Sequence, residues 1–161
     1  MLVELRQAGE ADAHLLWKMQ IRSFEPILQR YHNDTTSPAR ETEEMLRVRL
    51  RQSFADFYVI RADGEDVGGV RVVRRDGGRC RIAPLFVLPQ YQRQGIAQSA
   101  MRLLEEMYPD VQWELNTILE EAGHCRLYEK LGFVRTGEYE KINERMTLVY
   151  YRKLRRNGKD F

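Results

Sequence analysis

The chain carries little that could bind a metal or form a covalent cross-link. Its 161 residues include two cysteines, Cys80 and Cys125, and three histidines, His14, His32 and His124. The cysteines form no CxxC pair and fall in a predicted strand and a predicted helix, so they read as free thiols; the histidines lack ligand spacing, which excludes an evident metal centre. No stretch approaches the roughly 18 apolar residues of a membrane span, and the opening MLVELRQAGEADAHLL is charged throughout. A cytoplasmic location is therefore expected, with no membrane partner. An excess of one charge is missing too. Lys and Arg total 26 against 24 acidic residues, so nothing drives the whole surface toward nucleic acid. Repeats, linkers, low-complexity tracts, a GK[ST] phosphate loop and a GxGxxG loop are all absent.

What remains is 43% hydrophobic and 31% charged, the balance of one globular domain, taken as 1–154 with a basic, frayed tail over 155–161. Met1 to Gln7 alternates like a strand. From Glu10 to about Arg30, Ala11, Leu15, Leu16, Met19, Phe24 and Leu28 recur at helical spacing, and Pro26 is expected to break or kink that helix near Phe24 and Glu25. After the polar loop YHNDTTSPARE, Ser37 as N-cap and Pro38 as first helical residue predict a helix to about Ser53. Turn signals at Asp63-Gly64 and Asp76-Gly77-Gly78 then divide three antiparallel strands at about 57–62, 67–75 and 79–88. A helix over 95–108 follows, expected to bury Ile96, Ala100, Met101, Leu103, Leu104 and Met107. Next come a strand at 111–117, a helix at 121–131 and two final strands near 133–139 and 145–153. The strand-helix-strand passage from Arg79 to Thr117 is a crossover, which makes its two strands parallel inside an otherwise antiparallel sheet. The sum is a mixed α/β (α+β) fold of about seven strands and four helices.

One junction stands out chemically. In LFVLPQYQRQGIAQSAM, from Leu85 to Met101, an apolar strand stops at Pro89, crosses a polar loop and restarts as a helix. Backbone N–H groups at a helix start carry the positive end of the dipole, and a glycine at 95 lets the backbone come close to a ligand. The N–H groups of Gln94, Gly95, Ile96 and Ala97 can converge on one anion. Many strand-to-helix turns contain a single glycine and bind nothing, so the turn alone decides nothing.

Thirty residues on lies HCRLYEKLGF, a helix carrying Tyr128 that ends near Gly132 and passes directly into a strand. The two segments together resemble the GNAT family of acetyl-CoA-dependent N-acyltransferases. Gln92, Gly95 and Ala97 match the Q/R-x-x-G-x-G/A signature, Leu127 to Phe133 match LYEKLGF, and the order of elements agrees from Met1 to about Lys153. The resemblance implies a GNAT fold whose parallel strands splay into a coenzyme A cleft. It implies pyrophosphate on the N–H groups from Gln92 to Ala97 with charge from Arg93, and pantetheine along Phe86 and Val87. The Val87 N–H becomes the donor to the thioester carbonyl, and Tyr128 the general acid toward the departing thiolate. Asn116 becomes a partner for the pantetheine amides, although an asparagine near a strand end is also an ordinary turn former. On residue type alone, Tyr128 reads as a half-buried core edge. The expected activity is transfer of an acetyl group from acetyl-CoA, as co-substrate, to a primary amine of a small molecule or peptide, by direct attack.

The sequence departs from the family pattern at two places. Glu121 stands where an asparagine commonly opens the last helix, and His124 where an alanine is frequent. The fourth strand, RCRIAPLFV, offers no carboxylate or histidine as general base. Water, a backbone carbonyl or an acidic residue of the first helices are the alternatives, with Glu25 and His32 as candidates. The same segment would select the acceptor: Phe24, Glu25, Tyr31 and Asp34 mix rings and acids suited to a cationic amine. A catalytically silent, acyl-CoA-binding sensor or interaction domain is the alternative function. The exposed final strands leave a homodimer open.

Overall fold

The computed structural model describes residues 1–154; the basic tail expected over 155–161 lies outside them. The elements are β1 (Val3–Gln7), α1 (Ala13–Tyr31), α2 (Glu43–Arg51), β2 (Ala55–Ala62), β3 (Glu65–Arg75), β4 (Arg79–Val87), α3 (Ile96–Met107), β5 (Gln112–Ile118), α4 (Ala122–Lys130), β6 (Val134–Lys141) and β7 (Thr147–Lys153). They form one seven-stranded sheet in the order β1-β2-β3-β4-β5-β7-β6. Every neighbouring pair is antiparallel except β4 and β5, as the crossover requires.

Each face of the sheet has its own core. On one side Ile96, Ala100, Met101 and Leu104 of α3 and Tyr128 and Leu131 around α4 pack on Val70, Val72, Ile82, Leu115 and Tyr151. On the other, Leu16 and Met19 of α1 and Leu46 of α2 cover Phe57, Val59, Phe86 and Leu88. Burying a side chain of this size is worth roughly 1.5–3 kcal/mol, so the two clusters fix the helices to their faces. Two residues of the expected α3 stripe fall short of it: Leu103 is only half-buried, and Met107 is 47% exposed at the last turn.

Two boundaries differ from the sequence reading. Pro26 does not break α1, which is helical without interruption to Tyr31. Its ring sits on the exposed side, and the buried residues Met19, Gln20 and Ser23 hold the preceding turns against the sheet. The cost is local, because the Arg22 carbonyl loses its regular donor. The helix expected from Ser37 to Ser53 is two pieces. Ser37 caps only a short 3-10 turn, Pro38–Arg40. The chain extends at Glu41 and Thr42, and Thr42 then accepts from the Met45 N–H to start α2.

A glycine pair brings β3 and β4 together. A Cβ on Gly68 would lie 2.1 Å from the Phe86 carbonyl oxygen, and one on Gly69 2.6 Å from the Phe86 ring and 2.9 Å from Leu16. Only glycine permits that approach. Past a register shift between Val70 and Val72, β4 passes through a cis Ala83-Pro84 bond to reach Phe86 and Val87.

Candidate active site

The parallel pair is short. Only Arg79, Cys80 and Arg81 of β4 pair with Gln112, Trp113 and Glu114 of β5, and beyond them the strands diverge. The ladders on either side show what the diverging edges present. The Leu88 N–H donates to the Val67 carbonyl, which makes Gly68 and Val87 a non-hydrogen-bonded pair, so the N–H and carbonyl of Val87 turn from β3 toward the gap. The Leu119 N–H likewise donates to Thr147, which turns the backbone polar groups of Asn116 and Ile118 from β7 toward the same gap. Two edges with no strand partner therefore face each other, their Val87 and Ile118 carbonyls held locally by the Gln92 amide and the Glu121 N–H.

At the open end of β4 the chain makes a 3-10 turn, Pro89–Tyr91, and enters α3 through two left-handed residues, Arg93 (φ 64°) and Gly95 (φ 81°). Among the described residues no acceptor is present for the N–H groups from Arg93 to Gln98. The space where a Gly95 Cβ would stand is empty to 4 Å. A positive helix end with an open floor fits a phosphate-bearing ligand. Gln92 behaves differently from expectation. Its N–H is taken by Pro89 at 3.3 Å, and its side-chain amide donates to the Val87 carbonyl at 2.9 Å. It ties the turn to the strand and leaves anion contact to the residues after it.

Tyr128 lies in the buried cluster that also holds Val87, Ile96, Leu115 and Phe133, its ring edge-on to Phe133 at 5.7 Å. The hydroxyl has no partner within the described chain. Burial pushes its pKa up to about 12, so the phenol holds its proton throughout the neutral range. Asn116 is not a turn former here; it sits within β5, paired with Tyr150.

The other face is assembled from side chains. Phe24 stacks edge-on against Phe86 at 6.0 Å. Glu25 lines a cavity of about 270 Å³ together with Arg22, Pro26, Gln29, Pro89 and Gln90. Tyr31 does not join them. It is buried against Ile118 and Met146, and its hydroxyl donates to Glu121 at 2.5 Å, beside Arg30 at 2.7 Å. Burial alone would raise the Glu121 carboxyl, but Tyr31 and Arg30 hold it below the usual carboxylate range. Asn143, in the β6–β7 turn, donates to the Tyr31 carbonyl at 2.9 Å. His32 closes α1 in a left-handed conformation next to Arg145 at 3.4 Å, and Asp34 pairs with Arg40 on the surface. The sequence reading missed this clamp of α1 to α4 and to the last hairpin, because its members are 90 or more residues apart. It also missed the Gly68-Gly69 pair, which a doublet of glycines inside a strand pattern signals.

The sheet order, the splay and the turn define an acyltransferase-type fold with a ligand cleft between its parallel strands. Residues 53–135 match the acetyltransferase (GNAT) domain model, and the chain belongs to that family. A Bacillus subtilis (strain 168) protein, the uncharacterized YrkN, is 37% identical over 82 residues, 49% of this chain and 44% of that protein; the shared region spans less than half of the relative. Among solved structures, the ribosomal-protein-S18-alanine N-acetyltransferase of Escherichia coli superposes with a TM-score of 0.75 at 14% identity, covering 99% of this chain and 100% of that one. The spermidine N-acetyltransferase of Vibrio cholerae, solved with CoA and spermine, gives a TM-score of 0.75 at 17% identity, covering 95% of each chain. At such identities the shared property is the fold.

Proposed function

We infer that the protein is an N-acetyltransferase that moves an acetyl group from acetyl-CoA to a primary amine of a small molecule or peptide. The feature that carries this reading is the short, diverging β4–β5 pair, with the Val87 N–H and the free N–H groups from Arg93 to Gln98 at its open end and Tyr128 in the buried cluster that holds Val87. Solved proteins of the same fold include a ribosomal-protein-S18-alanine N-acetyltransferase and a spermidine N-acetyltransferase, which supports the amine class without naming the acceptor.

When bound, acetyl-CoA supplies an activated thioester. The N–H groups from Arg93 to Gln98 hold its phosphates at the dipole's positive end, with Arg93 adding charge. The facing edges at Val87 and at Asn116 give a pantetheine arm the hydrogen bonds that the diverged strands no longer give each other. The Val87 N–H donates to the carbonyl oxygen where negative charge grows. Tyr128 gives its proton to the sulfur as the C–S bond breaks and the N–C bond forms. The acceptor ammonium loses two protons in total: one restores Tyr128 and one leaves to water, with Glu25 at the cavity wall as the candidate carrier.

The test is calorimetry with acetyl-CoA followed, in the same sample, by thiol release against a mixed panel of amines. Binding with thiol release is expected. Binding without release from any amine would leave an acyl-CoA sensor, the reading favoured by the absence of a carboxylate or histidine from Ile82 to Val87.

A further inference from the structure

The cavity between α1 and the turn after β4 holds both signs of charge, and neither is used by the fold. Most charged residues of this face are paired: Arg30 with Glu121, Arg47 with Glu43, Arg49 with Glu41 and Arg51 with Glu10. Arg22 and Glu25 both line the cavity and, among the described residues, neither makes an ion pair or a side-chain hydrogen bond. They are three residues apart on α1, which puts their Cβ atoms about 5–6 Å apart on one side of the helix, yet they do not close on each other. The volume, about 270 Å³, sits just under the roughly 300–1,000 Å³ usual for small-ligand sites. The floor is Pro89 and Gln90, which follow Val87 within three residues of chain.

A guanidinium beside a carboxylate, both lining one cavity and neither paired, matches a ligand that carries an anion and an ammonium close together. A polyamine fits poorly, since Arg22 would meet it with like charge, and so does a neutral amine, which would leave Arg22 unanswered. We propose that the acceptor is a zwitterionic amine of amino-acid type, its carboxylate on Arg22 and its ammonium on Glu25. This rests on the acetyltransferase reading and narrows its acceptor.

Alanine, alaninamide and spermidine, compared by thiol release, test it. The expected kcat/KM for alanine exceeds that for alaninamide at least tenfold, and the Arg22→Gln variant brings the two within threefold of each other. A ratio near one in the unaltered protein, a preference for spermidine, or a ratio that survives Arg22→Gln overturns the proposal. Calorimetry with N-acetylalanine and N-acetylalaninamide reads the same cavity without turnover. Tenfold tighter binding of the acid, lost in Arg22→Gln, supports the proposal even where no amine is acetylated; equal or absent binding of both overturns it. Failure to bind acetyl-CoA would sink the acetyltransferase reading separately, while the N-acetylalanine result still decides the cavity.

Discussion

The two halves of the cleft are built by different means. On the β4–α3 side the functional groups are backbone: an N–H turned outward by the ladder at Val87 and a run of free N–H groups made by Arg93 and Gly95 in left-handed conformation. On the α1 side they are side chains, held by contacts between Tyr31 and Glu121, Asn143 and the Tyr31 carbonyl, and Phe24 and Phe86. Backbone geometry depends on a few local residues and tolerates change elsewhere. The side-chain half depends on pairs that meet only after the whole sheet has formed. Damage to the first should therefore read as lost binding or chemistry, and damage to the second as lost stability and altered acceptor choice.

The sharpest break of that contrast lies at Tyr128. Tyr128→Phe keeps the ring in its cluster and removes only the proton, so kcat should fall by about two to four orders of magnitude with acetyl-CoA affinity unchanged. Rapid-quench or steady-state thiol release checks it; a fall below threefold would assign the proton to water. Next is Gly95→Asp, which adds a negative charge and a strained φ of 81° to the turn. Calorimetry should show acetyl-CoA affinity weakened by about a hundredfold or more, equivalent to about 2.7 kcal/mol, and unchanged affinity would remove the phosphates from this site.

Stability effects come after. Gly69→Ala places a methyl 2.6 Å from the Phe86 ring and 2.9 Å from Leu16, an overpacking that costs about 1–3 kcal/mol. Its thermal melt should drop by several degrees, and a melt unchanged within a degree would show that Phe86 yields freely. The smallest effect belongs to the clamp. The Glu121 carboxyl is held below its ordinary value by Tyr31 and Arg30. Its contribution is therefore present above the unfolded carboxylate pKa of about 4.3 and is lost as pH falls through the folded value. Glu121→Gln should lower stability by about 1 kcal/mol at neutral pH and flatten the acid limb of the pH-stability curve. Denaturant titrations at pH 7 and below pH 4 measure both, and identical acid limbs would show the clamp to be electrostatically idle.

This division also explains what could be read from the chain. The crossover from Arg79 to Thr117, the hairpin turns and the glycine of QRQGIA are set by local pattern, so the parallel pair and the left-handed entry to α3 were legible. Gln92 was legible as part of a signature but not in its task, because an amide side chain that folds back five residues to Val87 leaves no periodic trace. Tyr31 was marked for the acceptor on residue type, and the structure spends its hydroxyl on Glu121 from 90 positions away. Pro26 was legible as a break or a kink: the break did not form, since the packing of Met19, Gln20 and Ser23 outweighs one missing hydrogen bond.

The brevity of the β4–β5 pairing has a mechanical meaning. With only three partners on each strand, the sheet behaves as two leaves, β1 to β4 and β5 to β7, bound along a short spine. Amides near Cys80 and Trp113 should exchange slowly with solvent deuterium, while those of Val87 and Asn116, on the open margins, exchange fast until a ligand strand is sewn between the leaves. A filled cleft would then lend the two leaves a common rigidity that the polypeptide by itself leaves unfinished.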